Sequence, residues 1–208
     1  MTEKCHHKPG PYKPFVSVRN KYETALEKAI INKGFSSVGD ELIYWLDGEL
    51  PIESKRRNYK RLDLLGKDAS GKYVLCELKF SGTGTGNKGP AAADNQLIEY
   101  KNLIQAYGER FGLHSNRPHD VQFNLNDFLH HKPRLMVVAD ATYWDHWKGI
   151  NARRAKKRML NEEVEHYSID ISADDLEQQK LNAGKDNKYK PELPERAINW
   201  KFVKCEDY

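Results

Sequence analysis

Apolar positions along the chain change their period from segment to segment, and the changes mark the elements. From Lys72 to Phe80 they alternate as a strand requires, with Val74, Cys76, Leu78 and Phe80 on one face and Tyr73, Leu75, Glu77 and Lys79 on the other. Arg61 to Gly66 is a second short apolar strand, and Lys67-Asp68-Ala69-Ser70-Gly71 between the two carries the Asp, Ser and Gly of a tight reversal. Ala92 to Tyr107 has helical spacing instead, with Leu97, Tyr100, Ile104 and Tyr107 on one face and Gly108 as a stop. Val18 to Lys33 reads as an earlier helix with Leu26, Ala29 and Ile30 inward, ended by Gly34. Glu41 to Leu46 and Pro133 to Ala139 read as strands, and Asn126 to His131 as a short helix within a long insertion from Gly112 to Lys132. Further on, the pattern predicts a helix from about Tyr143 to Leu160, with Trp144, Trp147 and Met159 as core contacts. A strand from Val164 to Ile171 follows, with Tyr167, Ile169 and Ile171 inward. Ala173 to Glu195 is polar and turn-rich, and Ile198, Trp200 and Phe202 alternate as a late edge strand.

Two carboxylates and an amine sit in the expected hairpin. If its turn centres near Ser70, Leu65 faces Leu75 and Asp63 faces Glu77, whereas a one-residue slip sends Asp63 to the opposite face. In the first register the two carboxylates stand roughly 5 Å apart across the strands. They repel, which destabilises the hairpin unless a cation lies between them. Oxygen ligands with few other donors suit Mg²⁺ or Mn²⁺, which keep several waters and accept phosphate oxygens. Lys79 shares a face with Glu77 and could hold a phosphate oxygen or orient a water. A solvated strand face is the alternative reading of the same residues.

Asp63, followed fourteen positions later by Glu77-Leu78-Lys79, each near the end of a short apolar strand, resembles the signature of the PD-(D/E)xK nuclease superfamily. Gln96 and Tyr100, four apart on the predicted helix, resemble the Q-x-x-x-Y element of its RecB-like exonuclease branch. Tyr22-Glu23, ahead of Gly34-Phe35, is similar to the first-helix pattern of restriction-type members, in which that glutamate is an extra metal ligand. Glu27, one turn on, competes for the role, and Leu62 rather than proline precedes Asp63. The resemblance spans about residues 18 to 140. It implies an α/β, restriction-endonuclease-like fold: an αβββαβ core with a central mixed sheet flanked by helices. One domain would cover residues 1–208, with helix and strand additions from 141 onward. Mg²⁺ or Mn²⁺ would be held by Asp63, Glu77, the Leu78 carbonyl and Glu23. Lys79 would position or deprotonate the attacking water, and Gln96 and Tyr100 would support the site or touch substrate. The activity implied is metal-dependent hydrolysis of phosphodiester bonds in DNA, with RNA left open, and a two-fold dimer would suit double-strand cutting.

Composition adds a bias towards nucleic acid. Thirty-four Lys and Arg against 30 Asp and Glu give a net charge of only +4, so the distribution carries the point. Lys55-Arg56-Arg57 and Lys60-Arg61 run into the Asp63 strand, and Arg153-Arg154-Ala155-Lys156-Lys157-Arg158 forms a second cluster that also fits a solvated basic face. Arg57, Lys60, Arg61 and Lys88 are the expected phosphate contacts. Lys88 belongs to a glycine-rich segment, Ser81 to Gly89, that follows a strand and precedes a helix, the context of a phosphate or dinucleotide loop. Nucleotide binding through Gly82 to Gly89 is therefore one alternative function, and a nuclease-fold protein that binds nucleic acid without cutting it is another. Against the nucleotide loop, the segment is longer than a tight turn and Lys88 is not followed by Ser or Thr.

A chain of 208 residues suits one domain and buries about 70% of its unfolded surface. No run approaches the ~20 apolar residues of a membrane span, and Met1 to Pro14 has no apolar signal core. The expectation is a soluble, cytoplasmic protein with no membrane partner. Cys5, Cys76 and Cys205 are odd in number and far apart, which fits neither a disulfide framework nor a zinc knuckle, and argues against the iron–sulfur cluster of some RecB-like nucleases. Cys5-His6-His7 and His130-His131 lack metal-ligand spacing.

Overall fold

Seven strands are joined by continuous ladders into one mixed sheet, and helices cover both of its faces. The computed structural model of the chain describes residues 10–55, 58–81, 89–117, 122–148, 163–183 and 187–204. In order they form β1 (Val16–Ser17), α1 (Tyr22–Lys33), β2 (Phe35–Val38), β3 (Glu41–Lys55), β4 (Asn58–Asp68), β5 (Tyr73–Lys79) and α2 (Pro90–Tyr107). There follow α3 (Leu125–His130), β6 (Arg134–Asp140), α4 (Ala141–His146), β7 (Glu165–Ile169), α5 (Ala173–Leu181), β8 (Lys188–Tyr189) and β9 (Asn199–Phe202). The strand order is β2-β3-β4-β5-β6-β7-β9, and β9 returns to β2, so the sheet closes on itself. β2 to β5 form an antiparallel meander, and β5, β6 and β7 are parallel. A parallel pair needs a crossover, and α2 supplies it between β5 and β6. β1 and β8 pair separately.

Side-chain alternation divides the interior into two cores. Val74, Cys76 and Leu78 of β5 join Met136 and Val138 of β6 on the face that α1 covers with Leu26, Ala29 and Ile30. Tyr73 and Leu75 join Leu135, Val137 and Ala139 on the other face, against Leu97, Tyr100 and Ile104 of α2. β5 and β6 are thus apolar on both sides, as strands covered on both faces must be. Turn chemistry follows the sequence closely. Gly34 takes φ 87°, a left-handed cap that suits glycine, and its N–H closes on the Ile30 carbonyl at 3.0 Å. Asp68 Oδ1 accepts from the Ser70 and Lys72 amides, both at 3.0 Å, fixing the β4–β5 reversal with Leu65 opposite Leu75 as expected.

Several expectations need correction. α1 starts at Tyr22 rather than Val18. β3 runs far beyond Leu46: register shifts fall at Trp45/Asp47 and Pro51/Glu53, and between them Gly48 pairs opposite Leu64 and Pro51 opposite Arg61, although both residues normally interrupt a strand. The helix expected from Tyr143 to Leu160 begins at Ala141 and ends at His146 with Trp147 as cap, and residues 149–162, including Met159 and the second basic cluster, lie outside the described region. Ala173–Leu181, read as turn-rich, is a helix with a Ser172–Asp175 capping box, hidden because it buries only Leu176. β9 is no edge strand: it pairs with β7 and with β2, with Trp200 buried and Phe202 exposed. Among the described residues no helix is long and apolar enough to cross a membrane. Cys76 is buried as a free thiol, and Cys5 and Cys205 lie outside the described residues.

Candidate functional site

The site lies where β4 and β5 part. Their ladder runs from Lys67–Tyr73 to Leu64–Cys76 and stops, although β4 extends back to Asn58 and β5 on to Lys79. At this fork the Asp63 carboxylate replaces a ladder partner: its Oδ2 accepts the Leu78 N–H at 2.8 Å. N–H and C=O of one strand residue point to the same side, so the Leu78 carbonyl also faces the opening beside Asp63. On the far side β5 pairs with β6 as far as Lys79–Ala139, which places the fork at the carboxyl ends of the parallel strands.

Glu77 is the hub. It is 2% exposed, and its Oε1 accepts from Lys79 Nζ at 2.5 Å and from Gln96 Nε2 at 2.6 Å. Gln96 Nε2 also donates to the Tyr100 hydroxyl at 2.8 Å. The i, i+4 spacing of Gln96 and Tyr100 on α2 sets this chain of contacts, with Tyr100 seated in the core. Glu77 Oε2 is buried and has no partner among the described residues, and neither has Glu27 Oε1. A buried carboxylate oxygen without a donor is costly unless a ligand completes it.

Burial raises the Asp63 carboxyl well above the usual range, and repulsion from Glu77 adds to it. Glu77 is raised mainly by burial, which outweighs the opposing charge and hydrogen bond of Lys79. Burial disfavours the charged Lys79 amine, but Glu77 and Asp63 overcome this and hold its pKa above the ordinary value. Glu23 and Glu27, one turn apart on α1, both approach from the other face. Glu23 is raised by burial against the pull of Lys79, so it lies in the field of the Glu77–Lys79 pair. Glu27 is raised by burial, then by Glu49 and Asp63.

The fork therefore gathers Asp63, Glu77, Leu78, Lys79, Gln96 and Tyr100, with Glu23 and Glu27 flanking. The basic residues are less committed to it. Lys60 forms an ion pair with Glu99 of α2, and Arg61 Nη1 stands 3.9 Å from Glu49, which also pairs with Lys28. Arg57, Lys88 and the Gly82–Lys88 part of the glycine segment lie outside the described residues. Two features escaped the sequence reading. Asp47, fully buried, accepts from the His114 amide at 2.6 Å and faces His114 Nδ1 at 2.9 Å, which pins the insertion to β3. Asp140, directly after the apolar run of β6, binds Ser81 just beyond Lys79, and an acidic residue at a strand's carboxyl end was the available signal.

Among the described residues no three His, Cys, Asp or Glu side chains converge as a ready-made metal cage. The donor set is instead two carboxylates, a main-chain carbonyl and a flanking glutamate, with an unpartnered oxygen on Glu77. That suits an ion that binds through one or two carboxylates and keeps its waters, as Mg²⁺ does. Comparison with protein-family models, with curated proteins and with solved structures returns no match for this chain.

Proposed function

We propose that this chain is a metal-dependent nuclease of the PD-(D/E)xK type that hydrolyses phosphodiester bonds in DNA. The observation that carries the reading is Glu77: a buried carboxylate with one oxygen tied to Lys79 and Gln96 and the other without a partner among the described residues, beside a second carboxylate, the half-buried Asp63. The three-stranded meander followed by a helix and a parallel strand supports the restriction-endonuclease-like αβββαβ core, here extended by β2, β7 and β9 into a closed sheet.

Asp63, Glu77, the Leu78 carbonyl and Glu23 would hold Mg²⁺ or Mn²⁺. When bound, such an ion lowers the pKa of a water and stabilises charge on the phosphoryl and leaving oxygens. Lys79, kept protonated by Glu77 and Asp63, orients the attacking water or a phosphate oxygen. Gln96 holds Glu77 in one rotamer, and Tyr100 holds Gln96. Lys60 and Arg61 lie on the splayed half of β4 and supply positive charge near the fork.

The test is cleavage of linear, circular and single-stranded DNA with and without Mn²⁺. Glu77→Ala and Lys79→Ala are expected to lose at least 100-fold in rate, the order of a lost catalytic group, with unchanged circular dichroism. Equal activity in both variants would sink the reading. One observation favours a second reading, a nuclease fold that binds nucleic acid without cutting: Lys79 Nζ already holds Glu77 Oε1, at 2.5 Å. Salt-dependent DNA binding without Mn²⁺-dependent turnover would select it.

A further inference from the structure

α4 has only six residues, yet its inward positions touch the frame of the site at both ends. Asp140, Tyr143, Trp144 and Trp147 are spaced i, i+3, i+4 and i+7 and share one face. Asp140 is 4% exposed, and its carboxylate accepts twice from one residue: Ser81 N–H at 2.9 Å and Ser81 Oγ at 2.8 Å. An aspartate at a helix N-cap ordinarily turns its carboxylate to the first-turn amides of its own helix. Asp140 occupies that position and makes no such bond. Its side chain extends the β5–β6 pairing past the last ladder pair, Lys79–Ala139, to a residue two beyond Lys79.

At the other end of α4 the Trp147 ring lies on Gly89, where a Cβ would stand 3.0 Å from ring carbons. Gly89 is the N-cap of α2, the helix that carries Gln96. Between these ends Trp144 Nε1 donates to the Tyr167 carbonyl at 3.0 Å and ties the helix to β7. α4 therefore links the exit of β5 to the entry of α2, and Lys79 from one and Gln96 from the other meet on Glu77 Oε1.

We propose that Asp140 is a positioning residue of the hydrolytic site, holding Ser81 so that the end of β5 delivers Lys79 to Glu77. The proposal rests on the nuclease reading above. In the full chain, Asp140→Ala is expected to lower kcat at least 10-fold in Mn²⁺-dependent cleavage, with KM for DNA within about 2-fold of wild type. Asp140→Asn keeps an oxygen for the Ser81 amide and an N–H₂ for its hydroxyl oxygen, and is expected to recover most of kcat. Asp145→Ala, on the exposed side of α4, serves as the neutral control.

Hydrogen exchange of the peptide spanning Lys79 to Ser81, read by mass spectrometry, reports the anchor without requiring turnover. It should accelerate in Asp140→Ala and return towards wild type in Asp140→Asn. Accelerated exchange with wild-type kcat would overturn the positioning role, as would a parallel loss of kcat, KM and thermal midpoint that Asp140→Asn fails to rescue. Unchanged exchange would overturn the anchor itself. A wild-type protein that cuts no DNA would overturn the nuclease reading and the positioning role together, even with the exchange result as expected.

Discussion

Asp63 and Glu77 store unfavourable energy in the metal-free protein. Their folded-state carboxyls bind protons more tightly than the ordinary values of 3.8 and 4.5 that apply once the chain unfolds. The unfolded state thus holds fewer protons over the interval above those values, and stability contributed by this pair falls as pH rises through it. On the proposed nuclease reading a divalent ion would replace the protons, so the thermal shift produced by Mn²⁺ should grow with pH over the same interval. Asp63→Asn keeps an acceptor for the Leu78 amide but removes the charge. It is expected to raise metal-free stability at neutral pH, since the repelling charge is gone, and to abolish the Mn²⁺ shift. Calorimetry of both proteins from pH 5 to 8 measures this, and a variant less stable than wild type that still responds to Mn²⁺ would refute it.

At the scale of elements, the fork between β4 and β5 depends on how closely β3 approaches. Gly48 lies just past a register shift of β3, opposite Leu64, and a Cβ there would stand 2.7 Å from the Asp63 carbonyl oxygen and 2.8 Å from Glu27 Oε1. Its neighbour Glu49 takes φ 51°, unusual for a residue with a side chain, and pairs with Lys28 of α1. Gly48→Ala is expected to cost about 1–3 kcal/mol, as overpacking does, in denaturant unfolding. An unchanged midpoint would show that β4 or α1 can move aside. The sequence made the β4–β5 reversal legible because Asp68, Ser70 and Gly71 act locally, on amides within a few residues. It concealed the length of β3, because Gly48 and Pro51 look like interruptions, yet β4 pairs with both, Leu64 opposite Gly48 and Arg61 opposite Pro51.

For the whole molecule, closure of the sheet is the organising event. Trp200 of β9 stands opposite Val38 of β2, is 3% exposed, and its ring centre lies 5.3 Å from that of Trp45. The contact joins the end of the chain to its first third and completes the core around α1. Trp200→Ala is expected to cost about 3–5 kcal/mol, the range for removing a buried large aromatic, within a single cooperative transition followed by circular dichroism. Loss of less than about 1 kcal/mol, or early melting confined to β9, would show that closure is peripheral.

Taken alone, the sequence determined the local elements and the chemical inventory: the alternation of β5, the helical face of α2, the stop at Gly34, and the types and spacing of Asp63, Glu77, Lys79, Gln96 and Tyr100. These follow from period and from contacts within a few residues, which a linear pattern records directly. Tertiary structure decided what depends on distance across the fold: that β4 and β5 part at Asp63, that Gln96 reaches Glu77, that Glu23 and Glu27 flank the pair from the opposite face, and that Asp140 holds Ser81. It also decided how Lys60 and Arg61 engage Glu99 and Glu49. The reason is that burial and electrostatic partnership belong to space, so one carboxylate can be a solvated charge or half of a repelling pair with no change in its sequence neighbours.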